Sequence, residues 1–244
     1  MELIAVAVIG LGIGFLGGLF GKGGAAIATP LLYAIGIPAA VAVAAPLPAT
    51  IPSTMAASIP YRRAQLVDQR VVSWSIAFGI PATALGALLT LWVDAANLVR
   101  VTDLVLVALG LRLLLRPERS DHSHPAASRA RLAAVAIAVG LSSGLLANSG
   151  GFLLAPLYVA VVKLPIKPAF ASSLVVAAAL AIPGTAVHAA LGHIDWSIVG
   201  VFAVTSVPLA FLGAHVALRT EAGRLERAYG LVLAVLGSFF LLWG

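Results

Sequence analysis

The chain has 244 residues, 61% of them hydrophobic and only 10% charged, with a mean hydropathy of +1.07. A soluble domain carries roughly 25% charged residues to solvate its surface, so a soluble fold is excluded. The net charge of +6 and pI near 10.3 do not point to nucleic acid, because the arginines sit in short loops between apolar runs, as in membrane proteins; the absence of cysteine excludes disulfides, thiolate metal sites and cysteine nucleophiles.

Read in chain order, the start Met1-Glu2-Leu3 lacks the basic region of a signal peptide, so the first apolar run, 3–20, is predicted to be a retained membrane helix. The Gly-rich break Gly21-Lys22-Gly23-Gly24 follows, then a short apolar segment, 24–36, that contains Pro30. The third segment, 39–60, carries Pro46, Pro48, Pro52 and Pro60, which free backbone carbonyls and bend a helix. Segments 71–92 and 98–115 complete the first half. A polar linker, 117–131, punctuated by Pro117 and Pro125, leads to a second set of segments at 132–147, 151–162, 168–187, 196–218 and 228–243. The short second segment of each half is about a dozen residues, roughly 18 Å of helix, against a bilayer core of ~30 Å. Each is therefore predicted to be a half-helix or a re-entrant hairpin.

The two sets are one pattern written twice, at an offset of 126 to 127 residues. Gly18 to Gly24 corresponds to Gly144 to Gly150, Thr29-Pro30-Leu31 to Ala155-Pro156-Leu157, and Pro38 to Pro165. Tyr61 and Asp68 pair with His188 and Asp195, Ile80-Pro81 with Val207-Pro208, and Leu85-Gly86-Ala87 with Leu212-Gly213-Ala214. With both termini outside, only Arg100 of the 15 basic residues lies on the outer side, the bias expected of cytoplasmic loops. That arrangement has an odd number of passages per half, which inverts one half relative to the other. The predicted fold is thus an all-α membrane protein of two inverted-topology repeats, each of about five helical segments with short broken or re-entrant helices: residues 1–116, a cytoplasmic linker at 117–131, and residues 132–244.

The Gly-rich breaks Gly21-Lys22-Gly23-Gly24 and Asn148-Ser149-Gly150-Gly151 stand at equivalent places, before the short helices. Unwound backbone at membrane depth survives only where protein buries it or where it lines a wet cavity. The helix that follows starts with unpaired N–H groups and a partial positive charge, which attract anions. Tight helix packing would also use such glycines, but it explains neither Lys22 nor the polar pair Asn148-Ser149. A lysine near mid-bilayer costs roughly 2.5–3.5 kcal/mol unless it snorkels or pairs, and a bound anion would be its partner. Thr50, Ser53 and Thr54 on the third segment, with Ser172 and Ser173 in the matching region, supply further candidate contacts. Tyr61, His188, Pro30 and Pro156 are assigned to gating or coupling; a histidine near its usual pKa of about 6.5 could carry a proton. His122 and His124 read as solvated linker, and His193 and His215 have no partner that the sequence identifies. Asp103 and Arg100, three apart, form a local helix pair. No nucleophile–base set, paired carboxylates or metal-ligand spacing emerges, so neither an enzyme nor a cofactor or metal is implied.

The Gly-rich break, short apolar helix and Pro-Leu element, present in both halves at 18–32 and 144–158, resembles the sulfite exporter TauE/SafE family of bacterial membrane proteins. The run His188-Ala-Ala-Leu-Gly192-His-Ile-Asp195 and the C-terminal Leu-Gly helices resemble it too. The resemblance implies export of sulfite, sulfoacetate or a related organosulfonate across the inner membrane, with the paired breaks lining the path. Where the family commonly has small residues in the first break, this chain has Lys22. The resulting expectation is a secondary transporter working by alternating access; a passive anion channel and a non-transporting membrane enzyme or scaffold are the rival readings. The implied partners are a small anionic substrate and the lipid bilayer, with a homodimer left open.

Overall fold

The computed structural model describes residues 2–21, 25–89, 95–115, 128–145 and 151–243, which form helices joined by short turns, with no strand among them. In chain order they are α1 (Glu2–Phe20), α2 (Ala25–Ala34), α3 (Ala39–Ala44), α4 (Pro46–Arg63), α5 (Gln69–Leu89), α6 (Ala95–Leu115), α7 (Arg129–Leu145), α8 (Gly151–Leu157), α9 (Ile166–Ala190), α10 (Trp196–Arg219) and α11 (Ala222–Trp243). The α8 helix continues as a wider π turn over Tyr158–Val162. Of the described helices, α1, α3 with α4, α9 and α10 are long and apolar enough to cross a membrane.

Local chemistry sets several of the boundaries, and sets them alike in the two halves. Asp195 caps α10, its Oδ1 accepting from the N–H groups of Ser197 (2.8 Å) and Ile198 (3.3 Å). Asp68 does the same for α5, accepting from Arg70 (2.9 Å) and Val71 (3.0 Å). Such caps satisfy donors that the first helical turn leaves unpaired. The turns just before them match as well. Leu66 N–H donates to the Tyr61 carbonyl (3.1 Å) and His193 N–H to the His188 carbonyl (3.0 Å), the six-residue closure that ends a helix with a left-handed residue. That residue is Gln65 (φ 56°) in one case and Gly192 (φ 71°) in the other. After the short helices the left-handed residues are Gly36 (φ 94°) and Lys163 (φ 66°), again 127 apart. The break between α3 and α4 comes from Pro46, which has no N–H to continue the ladder.

In lipid, helices associate mainly by close packing, which favours small residues at crossings. Gly10, Gly14 and Gly18 of α1 meet Phe202, Ser206 and Ala210 of α10 in that order, so these two helices run parallel. α5 and α7 are parallel as well: Gly79 faces Ala136, Ala82 faces Gly140, and Gly86 faces Leu141. α6 and α11 run antiparallel, with Gly110 against Ala234 and Leu114 against Gly230. α4 and α9 are also antiparallel: Leu47, early in α4, touches Gly184, late in α9. Beyond the end of α4, Asp68 N–H donates to Ser172 Oγ at 3.0 Å.

These directions fix how the short helices are used. The Lys167 ammonium donates to the Leu218 carbonyl at 2.9 Å, so α9 and α10 are antiparallel. It follows that α4, α10 and α1 share one direction. The chain between α1 and α4 must therefore return to its starting side. Among the described residues, the element that precedes the α3–α4 span there is the ten-residue α2, about 15 Å long and so shorter than a full crossing.

Candidate functional site

A cavity lies between α1, α4, α9 and α10, lined by Ile13, Gly14, Gly17, Thr50, Ser53, Thr54, Ala57, Leu174, Phe202, Ser206 and Ala210. Its lining comes from the interior of these four spans rather than their ends. Its volume is about 10 Å³, room for about one water molecule. Glycine is required on the α1 wall by close approach: a Cβ at Gly14 would stand 2.6 Å from Ser206 Cα. Such an approach lets α10 come close enough to α4 to enclose the space.

The polar atoms of the lining are hydroxyls. Thr50 Oγ1 donates to the Pro46 carbonyl (2.8 Å), Ser53 Oγ to the Thr50 carbonyl (3.1 Å), and Thr54 Oγ1 to the Thr50 carbonyl (2.7 Å). Ser206 is 1% exposed, and its Oγ has no hydrogen-bond partner. Buried hydroxyls are nearly always paired, so an orphan one calls for an explanation. Thr50, Ser53 and Thr54 are candidate contacts from sequence, whereas Ser206, which follows Thr205 in an otherwise apolar stretch of α10, is not among them.

Ser172 and Ser173 are buried but lie outside this lining. The Ser172 oxygen receives the Asp68 N–H. Ser173 Oγ donates to the Gly21 carbonyl, and the Phe170 carbonyl lies 2.9 Å from the same oxygen. Gly21 has φ +63°, and a Cβ there would stand 2.8 Å from the Phe170 carbonyl oxygen. Gly21, which opens the first Gly-rich break, is thus held against α9 of the other half, one helical turn along from Gly17. Lys22, Gly23, Gly24, Asn148, Ser149 and Gly150 lie outside the described residues; Gly151 opens α8.

Tyr61 is fully buried, and its hydroxyl donates to the Gly18 carbonyl at 3.4 Å, a long contact one turn beyond Ala57 of the cavity wall. His188 stands away from the cavity, at the far end of α9, its Nδ1 3.3 Å from His193 Nδ1. His193 therefore has a partner that the sequence did not reveal, and so does His215, whose Nδ1 lies 3.0 Å from the Phe211 carbonyl. Pro30 sits inside α2, and Pro156 inside α8 just ahead of the π turn. That turn is tied down by the Tyr158 hydroxyl, which donates to Ser75 Oγ (2.7 Å), and by Arg112 Nη1, which donates to the Ala160 carbonyl (3.2 Å). The side chains of Arg100 and Asp103 lie outside the described ones. Among the described residues no three His, Asp or Glu side chains gather as metal ligands would.

Comparison with known proteins adds to this geometry. The family described as "Sulfite exporter TauE/SafE" matches residues 6–240. A "Probable membrane transporter protein" of Xylella fastidiosa (strain 9a5c) is 28% identical over 250 residues, covering 98% of this chain and 95% of the relative. Its counterpart in Xylella fastidiosa (strain Temecula1 / ATCC 700964) is 27% identical over the same coverage. No solved structure matches the chain.

Proposed function

This chain belongs to the sulfite exporter TauE/SafE family and is a membrane transporter, and from that premise we propose that it is a secondary transporter exporting a small oxyanion by alternating access. The substrate class in this reading is sulfite, sulfoacetate or another organosulfonate. The observation that carries it is the mid-span cavity with hydroxyl walls and one orphan hydroxyl, Ser206.

The two halves act as inverted repeats in this reading. The antiparallel pairing of α6 with α11 and of α4 with α9 supports it, because the members of each pair are equivalent in the sequence repeat. The exchanged pairing of α1 with α10 and of α7 with α5 supports it too, since each half then embraces the fourth segment of the other. With the termini outside and the inner membrane as the location, the helix directions agree with the placement of the basic residues toward the cytoplasm. Inverted repeats and broken helices around a midplane site are the usual architecture of alternating access.

The cavity favours a carrier over an open channel. A sulfur oxyanion is larger than the space enclosed, so it enters only when the walls separate. The paired Gly-rich breaks would add backbone donors and Lys22 would add charge.

Radiolabelled sulfite flux into vesicles containing the purified protein tests this reading. A carrier gives saturable uptake that is accelerated by unlabelled sulfite on the opposite side. Flux no greater than in protein-free vesicles would refute transport of this class, and flux that never saturates would favour the channel.

A further inference from the structure

We propose that the cavity selects its ligand by hydrogen-bond polarity and takes the singly protonated form of the oxyanion, with Ser206 as the specificity-determining donor. This deepens the transport reading and rests on it.

A hydroxyl has one proton to give and lone pairs with which to accept. In Thr50, Ser53 and Thr54 the proton is already committed to a carbonyl of the same helix, at 2.8, 3.1 and 2.7 Å. Each of these side chains therefore offers the cavity acceptor lone pairs rather than a donor. Ser206, buried and unpartnered, offers the one uncommitted O–H. The described lining thus combines one donor with three acceptors, all neutral.

A fully ionised oxyanion has acceptors only. It would match Ser206 and turn its remaining oxygens toward the lone pairs of Thr50, Ser53 and Thr54. Leaving such groups unsatisfied in a buried site is costly. An oxyanion that keeps one proton fits: an ionised oxygen accepts from Ser206 while the acid O–H donates to a hydroxyl oxygen across the cavity on α4. Charge favours the same choice, because the cost of burying an ion rises steeply with its charge. The described lining from α1, α4, α9 and α10 has no titratable side chain, so the pH dependence at this cavity belongs to the ligand. Sulfite is suited to the site, since it exchanges its second proton near neutrality, whereas sulfate is fully ionised there.

The test is equilibrium binding of radiolabelled sulfite to the full chain in detergent, across pH, with sulfate as competitor. Affinity for total sulfite should fall about tenfold per pH unit once sulfite loses its proton, and sulfate should not compete. Ser206→Ala should weaken sulfite binding by about five- to tenfold, the loss of one hydrogen bond, with unchanged thermal unfolding. Thr54→Val, which removes an acceptor at nearly constant shape, should narrow the preference for sulfite over sulfate. Affinity that rises with pH, or sulfate competing as well as sulfite, would overturn this inference in the wild-type protein while leaving transport intact. Wild-type binding by a folded Ser206→Ala variant would overturn it as well. Failure of the wild type to bind either anion would remove the transport reading along with it.

Discussion

The cavity between α1, α4 and α10 has a counterpart 126 to 127 residues further on, between α7, α9 and α5. The same crossing frames both: Gly14 packs on Ser206 in the first, and Gly140 packs on Gly79 in the second. The fillings differ. Where the first region has Thr50, Ser53, Thr54 and Ser206, the second has Ala177, Leu180, Ala181 and Gly79. Leu180 Cδ2 reaches to 3.0 Å from where a Cβ on Gly79 would stand, so its side chain occupies the space that the first region leaves open. A repeat can therefore keep its backbone crossings while one copy is lined with hydroxyls and the other carries a leucine at the same place. Function on such a scaffold lies with a few side chains, and their positions distinguish the copies.

The largest effect expected is on what the regions share. A side chain at Gly14, Gly18 or Gly140 would collide with the backbone or Cβ of the facing helix, and neither helix can move without breaking its crossing. Gly14→Leu and Gly140→Leu should both abolish recovery of folded protein, read as the monodisperse fraction in detergent. If one were tolerated, the two crossings would not be equivalent.

Next comes an attempt to make the packed copy resemble the hollow one. Leu180 is 1% exposed, and Leu180→Ser leaves a buried cavity whose cost is about 2–5 kcal/mol for a Leu truncation. A marked drop in thermal stability is expected, while the protein that remains folded transports sulfite at the wild-type rate. Lost transport by folded protein would move part of the site into the second region.

Smaller and symmetrical effects are expected at the caps. Asp68→Ala and Asp195→Ala should each cost about 1 kcal/mol, visible as similar shifts in unfolding temperature. Unequal shifts would show that the turns differ in weight despite matching geometry. Least of all, Gln65→Gly copies Gly192. It relieves a left-handed residue at roughly 1–2 kcal/mol but adds chain entropy of about 0.5–1 kcal/mol, so the net gain should be small but positive.

Much of this molecule is legible in the sequence because hydropathy runs and punctuation are one-dimensional signals. Segments expected at 3–20, 151–162 and 196–218 appear as Glu2–Phe20, Gly151–Val162 and Trp196–Arg219. The pairing of Tyr61 and Asp68 with His188 and Asp195 in the sequence repeat brackets the matching turns around Gln65 and Gly192. The interruption at Ala45 follows from Pro46, but the π turn at Tyr158–Val162 leaves no such mark, because it depends on Arg112 and Ser75 reaching in from other helices. The cavity lining was legible only along one helix. Thr50, Ser53 and Thr54 cluster in sequence, whereas Ser206 becomes informative only when α10 is laid against α1. Ser172 and Ser173 look like Ser53 in sequence, yet they bond to Asp68 N–H and the Gly21 carbonyl across the repeat boundary, contacts set by tertiary packing alone.

The most direct test copies the packed region into the hollow one. Ser53→Leu introduces into the cavity the side chain that stands at the equivalent position, 180, and blocks the space between the walls. Initial sulfite efflux from vesicles containing the folded variant should fall at least tenfold, with a modest loss of thermal stability from overpacking. Efflux at the wild-type rate from properly folded Ser53→Leu protein would contradict the assignment of this cavity as the transport site.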